Sequence, residues 1–187
     1  MSIRDDQRER VVERLVAHLL ETGLAQTSLR QLAAAAGVSD RMLLYYFADK
    51  VELLSAVLAR IAASATVDLG AAMPDGQTFT PAQFIRRATE VTARPEMRRF
   101  MRLWIAVIAA AAKREEPFVT ISAQIVAGFQ QWGEARLELP VGADRAGLAL
   151  AMIAVIDGLA VVEICSGEAL AARASGALGS LLAGPLA

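Results

Sequence analysis

The residue types that most often carry metal and covalent chemistry are scarce: among 187 residues, His18 is the only histidine and Cys165 the only cysteine. A Cys/His zinc cluster and a disulfide framework within one chain are therefore excluded, and the lone histidine lies far in sequence from the lone thiol. Neither a phosphate-cradling glycine loop nor a paired nucleophile and base occurs. A helical enzyme is thus the weaker alternative, and no cofactor or metal is expected. What the residues can do is recognise a surface. In Ser28 to Phe47, SLRQLAAAAGVSDRMLLYYF, the second of two short helical patterns presents Arg41, Met42, Leu44 and Tyr45 together. Arginine and tyrosine can hydrogen-bond base edges, and Met42 and Leu44 can touch thymine methyls, in a major groove that admits one helix.

Such a face needs a scaffold that holds it. Ser28 and Gln31 have capping-box spacing, so a helix opens there and ends at Gly37. Ser39 caps the next helix, Asp40 suits its positive end, and Val38 can staple against Leu43. Leu32, Ala33, Ala36, Val38, Leu43 and Tyr46 are the apolar or small positions around Gly37 that a helix-turn-helix must bury. A helical hairpin used only for packing has the same periodicity. Two adjacent caps, the turn glycine and the following Lys50 favour the DNA-binding reading. Phe47 is expected in the core, Tyr46 partly so with its hydroxyl available to phosphate, and Tyr45 free to probe bases.

Around this motif the chain reads as all-α, because alanine is abundant and strict apolar/polar alternation never persists. Nine helices are expected, three before residue 48 and six after. The first spans 3 to 22, with Val11, Leu15 and Leu19 on one stripe and Gly23 as its stop. Asp49 and Glu52 open a longer helix that ends before Met73-Pro74-Asp75-Gly76, and Thr80-Pro81-Ala82-Gln83 is a strong start signal. The domains are then a head over 1–48 with its helix-turn-helix at 28–47, a connecting helix over 49–73, and a body over 74–187.

Hydrophobic residues make up 55% of the chain and charged residues 21%, which suffices for a compact core and excludes a disordered tail. The net charge is -1, so no overall basic excess advertises a polyanion. Residues 1–50 balance Arg4, Arg8, Arg10, Arg14, Arg30, Arg41 and Lys50 against Asp5, Asp6, Glu9, Glu13, Glu21, Asp40 and Asp49. A neutral head implies modest non-specific DNA affinity and a shallow salt dependence. The first ten residues lack the apolar run of a signal peptide, and the apolar stretch Ala146 to Val162 is interrupted by Asp157. That stretch reads as a buried helix, with no membrane partner and a cytoplasmic location expected.

In the body, Phe84, Phe100, Met101, Trp104, Ile108, Phe118, Ile125 and Phe129 recur at helical spacing, and any one of them reads as core packing. Asp157 either bonds a helix end or an arginine of its own chain, or receives a polar or cationic group of a ligand. The arginines Arg86, Arg87, Arg94, Arg98, Arg99 and Arg102 read as a solvated face. The helix after Asp144 is apolar nearly all round, and the next one spaces Ala172, Gly176 and Ser180 four apart. Two copies pairing through Leu148, Met152, Val155, Leu159, Val162 and that small-residue ridge would cover the surplus apolar surface.

Position in the chain, Thr27-Ser28-Leu29-Arg30 before Leu32-Ala33, the Gly37-Val38-Ser39 turn, the Leu43 to Phe47 cluster and Asp49-Lys50 before Glu52-Leu53-Leu54 together resemble the N-terminal signature of the TetR family of bacterial transcriptional regulators. The resemblance covers about a quarter of the chain, and the nine-helix layout and Asp157-Gly158-Leu159 agree with it. It implies a homodimer on a roughly palindromic double-stranded operator, most simply a repressor, whose body binds an unidentified small molecule that alters the spacing of the heads. An activator, or a regulator without ligand, is the alternative within the family. Carried over by position, Ser28, Arg30, Tyr46 and Lys50 contact phosphate, and Arg41, Met42, Leu44 and Tyr45 face bases, with Ser39 at the start of that helix counted in the interface. The apolar set of the body together with Asp157 becomes a pocket for a largely apolar molecule. Asp40, Arg41, Met42 and Leu44 depart from common family residues, so the operator sequence does not follow.

Overall fold

The computed structural model describes residues 3–183; residues 1–2 and 184–187, the outer ends of the expected head and body, lie outside the described residues. Among the described residues the chain forms nine α-helices and no strand: α1 (Ile3–Thr22), α2 (Leu29–Ala36), α3 (Asp40–Tyr46), α4 (Lys50–Ala72), α5 (Pro81–Thr92), α6 (Pro95–Ala112), α7 (Phe118–Glu134), α8 (Arg145–Ser166) and α9 (Glu168–Ala183). Two compact units divide them, Met1–Ser64 with Arg102–Ala123, and Ala65–Met101 with Gln124–Ala187. The first unit therefore holds the expected head together with part of α4, the second part of α6 and the start of α7.

In the first unit α1 buries Val11, Val12, Leu15 and Leu19, and it packs on α2, which packs on α3. The spacing of these residues puts them on one face, and each fully buried leucine contributes roughly 1.5–3 kcal/mol. Leu32, Ala33, Ala36, Leu43 and Phe47 complete the core of the head. Between α2 and α3 the chain turns at Gly37, whose φ of 68° is left-handed. There the Gly37 N–H donates to the Ala34 carbonyl at 3.1 Å and the Val38 N–H to the Ala33 carbonyl at 3.0 Å, which satisfies helix-end acceptors that would otherwise be orphaned. Arg14 Nη1 donates to the Ala36 carbonyl at 2.7 Å, and a Cβ at position 37 would lie 2.6 Å from that same nitrogen. The left-handed backbone favours glycine here, and a side chain at this position would also displace the Arg14 guanidinium from its bond to Ala36.

In the second unit α5, α8 and α9 pack against one another. The expected start of α5 is present in full, with a reciprocal Thr80–Gln83 capping box and Pro81 in the first turn. Arg136, 6% exposed, fastens the preceding turn: Nε donates to the Met73 carbonyl at 2.9 Å, Nη1 donates to the Trp132 carbonyl at 3.0 Å, and Nη2 pairs with Asp75. Four of the six arginines between 86 and 102 are exposed, as a solvated face requires. Arg87 instead donates to the Ala72 carbonyl at 2.8 Å. Arg98 lies 2.7 Å from Glu168 and 2.6 Å from Glu163, on either side of the Gly167 break between α8 and α9. The hydrogen bond that Arg98 donates to Glu168, reinforced by the fields of both carboxylates, holds the guanidinium above its usual pKa even though desolvation opposes this.

By length and composition alone, α4 and α8 are each apolar enough to cross a membrane. The most apolar stretch of α8 has a mean hydropathy of 2.3, yet only 17% of it is buried. Its uncovered residues include Leu150, Ala154, Gly158, Val161 and Ile164, which lie at helical spacing along one stripe.

Candidate nucleic-acid interface

The recognition face is built from two caps and one turn. Ser28 accepts from the Gln31 N–H at 3.3 Å while Gln31 Oε1 accepts from the Ser28 N–H at 3.1 Å, and Ser39 Oγ accepts from the Met42 N–H at 3.2 Å. Each bond satisfies an amide that the helix start leaves without a partner. Helix α3 is docked through Leu43 and Tyr46, with Phe47 buried just beyond it, and the opposite face is left outwards. Arg41, Met42, Leu44 and Tyr45 are exposed, as are Ser28, Arg30, Ser39 and Lys50. Tyr46 differs, for it is only 9% exposed. Its ring lies edge-on to Tyr45 with centroids 5.4 Å apart, so it acts first as support for that ring.

Sequence reasoning missed what holds Tyr45, which is 57% exposed. Arg4 Nη2 donates to the Tyr45 carbonyl at 3.1 Å, and the guanidinium carbon stands 4.9 Å from the centre of the Tyr45 ring. Arg8 stands 4.5 Å over the Phe47 ring and pairs with Glu52 at 3.3 Å. The Arg4/Arg8 spacing on α1 and the aromatic run of α3 were the only available signals, and nothing in either said that they meet. Three of the seven basic side chains of residues 1–50, Arg4, Arg8 and Arg14, thus already have protein partners. Arg30, Arg41 and Lys50 are exposed.

The residues expected to line a body pocket are divided between the units, with Trp104, Ile108 and Phe118 in the first and the others in the second. Phe84, Phe100, Met101, Trp104, Phe118 and Ile125 are buried, Phe129 and Asp157 half-buried, and Ile108 exposed. Within the second unit, Phe84 meets Trp132 and Phe100 meets Phe129 edge-on, with centroids 5.8 Å and 6.2 Å apart. The first unit contains a cavity of about 660 Å³, and Phe118 is the one member of the set that lines it. Of the residues expected to pair two copies, Leu148, Val155, Leu159 and Val162 are half-buried and Ala172, Gly176 and Ser180 exposed. Met152, at 5% exposure, is taken up by its own chain and has little surface left for a second one.

A capped helix-turn-helix whose second helix exposes arginine, tyrosine and two apolar side chains has the form of a DNA-binding head. Residues 16–57 match the family model described as bacterial regulatory proteins, tetR family. The fold is similar over 98% of this chain and 96% of the other to the TetR-family transcriptional regulator of Cytophaga hutchinsonii, at a TM-score of 0.80 and 16% identity. It is similar over 96% of this chain and 100% of the other to a Rhodococcus sp. protein assigned to that family, at 0.76 and 19%. A third similar structure is the multidrug binding protein EbrR complexed with imidazole, at a TM-score of 0.72 and 21% identity over 100% of this chain and 96% of that one. No match is found among curated protein sequences. Residues 16–57 are thus those of a tetR-family DNA-binding domain, and the chain as a whole has the fold of TetR-family transcriptional regulators.

Proposed function

We propose that the protein is a repressor that occupies a roughly palindromic operator as a homodimer in the cytoplasm and leaves it when a small, largely apolar molecule binds. The observation that carries the DNA half is the exposed set Arg41, Met42, Leu44 and Tyr45 on a helix fixed by two caps and the Gly37 turn. Ser28, Arg30, Ser39 and Lys50 are exposed to reach phosphate, and phosphate contacts set register while base contacts set specificity. Direct readout rests on Arg41 and Tyr45, with Met42 and Leu44 supplying contact to thymine methyls.

The uncovered apolar stripe of α8 supports the dimer. A Cβ added at Gly158, Gly176 or Gly179 would meet nothing within 4 Å, so no described part of the same chain uses the close approach these small residues allow. A second copy would. For the ligand, the support is the concentration of aromatic and methionine side chains in the body, and a fold similar to that of a protein described as multidrug binding.

The test is selection of bound fragments from random-sequence duplexes, followed by screening of small molecules for release of the best fragment. One preferred duplex, held at nanomolar to micromolar concentration and released by an apolar compound, is the expected result. Equal binding to all duplexes at low salt would reject the reading.

A further inference from the structure

A cleft of about 660 Å³, open to solvent on one side, lies wholly within the first unit, walled by the segment before α2, the first turns of α4, the end of α6 and the turn into α7. We infer that it is a regulatory site for an uncharged, largely apolar small molecule that acts on DNA binding from directly behind the phosphate-contacting segments. This rests on the repressor reading above and names where its release is triggered.

Size and lining both point to a small molecule. Pockets that hold such ligands measure about 300–1,000 Å³ and are mostly apolar with a few polar groups. Here Leu24, Leu54 and Phe118 supply bulk, and Ala109 and Ala110 leave room because each projects a single methyl. Val51, which also lines the cavity, is 46% exposed, an apolar side chain that an occupant would cover. Charge selects the class of occupant. Lys50, Lys113, Glu115 and Glu116 line the same cavity, two positive and two negative. With two charges of each sign, all exposed, the lining gives neither an anion nor a cation a net electrostatic gain, so the apolar walls supply the attraction and a neutral molecule takes it without losing the hydration of a charge. Thr27, whose hydroxyl donates to the Leu24 carbonyl at 3.2 Å, keeps acceptor capacity for one polar group of the ligand.

Location supplies the coupling. Thr27 immediately precedes Ser28, the cap of α2, and Lys50 begins α4; both neighbours are the phosphate contacts of the reading above. An occupant touching Thr27, Lys50 and Val51 bears on both anchors, with differential affinity for the DNA-free arrangement as the driving term. Nothing outside this unit needs to move for the effect to begin.

The experiment uses the full-length protein, its selected duplex and three probes with one ring system: 1-naphthol, 1-naphthoate and 1-naphthylmethylammonium. Calorimetry measures binding, and fluorescence anisotropy measures duplex release. Naphthol is expected to bind and to weaken the duplex complex about tenfold, with both charged probes about tenfold weaker. Ala109→Trp fills the cavity and removes both effects, and Ala109→Phe does the same should the tryptophan variant fail to fold. Binding of naphthol unaffected by these substitutions, equal binding of the charged probes, or no binding of any of the three overturns the inference. If another apolar compound still releases the duplex from the filled variant, the repressor reading stands and this site falls. If no duplex is selected at all, the repressor reading falls first.

Discussion

Tyr45 is the aromatic side chain of α3 that reaches solvent, and it does not reach it freely. Arg4 grips its carbonyl and lies across its ring while Tyr46 abuts it edge-on. A ring ordered before DNA arrives loses less conformational freedom on binding, which favours both affinity and discrimination. Arg4→Lys keeps the charge but replaces a planar, stacking fork with a point charge. Operator affinity is expected to fall by about 1 kcal/mol, the sum of a modest cation–π contact and one exposed hydrogen bond. In a double-mutant cycle with Tyr45→Ala, anisotropy should show the two losses to be non-additive. Strict additivity would mean that Arg4 does not act through Tyr45. The contact spans 41 positions in sequence, so no local pattern could have disclosed it.

Helices α2, α3 and α5 each start at a polar cap that was readable in advance, because a cap is a bond between residues three apart and needs no knowledge of the fold. The same holds for Gly37, where the demand for a left-handed residue arises within the turn itself. Ser39→Ala removes the acceptor of the Met42 N–H. A loss of about 1 kcal/mol in stability is expected by thermal unfolding, with weaker operator binding because α3 frays from the end proposed to read bases. An unchanged melting curve would show that solvent replaces the hydroxyl without cost. The start of α4 was legible in part: Asp49 accepts from the Glu52 N–H at 2.8 Å as expected, but Glu52 also pairs with Arg8 of α1, a partner only packing could supply.

For the assembled molecule the decisive helix is α8. It was recognised as apolar on all sides, and that very uniformity hid which side would be covered, since a stripe is visible in sequence only against polar contrast. Leu148, Val155, Leu159 and Val162 are half-buried, Met152 is buried, and Leu150, Ala154, Gly158, Val161 and Ile164 are left outside. Val161→Glu places like charges near each other wherever this stripe pairs with its two-fold copy. Sedimentation at micromolar concentration is expected to shift from dimer to monomer, with operator affinity reduced about a hundredfold or more as the second half-site is lost. A variant that remains dimeric would place the interface elsewhere; one that instead partitions into vesicles less than the parent would point to lipid as the cover.

The all-α class, the nine helices of the described residues, the caps of α2, α3 and α5 and the exposure of Arg41, Met42, Leu44 and Tyr45 were present in the order of the amino acids, because helix periodicity, capping and turn chemistry act within four residues. Packing alone determined the grip of Arg4 on Tyr45, the exposed stripe of α8 and the cleft lined by Thr27 and Lys50. Each of these joins segments distant in the chain or depends on which of several equally apolar faces finds a neighbour, and neither distance nor choice of neighbour is encoded in local spacing.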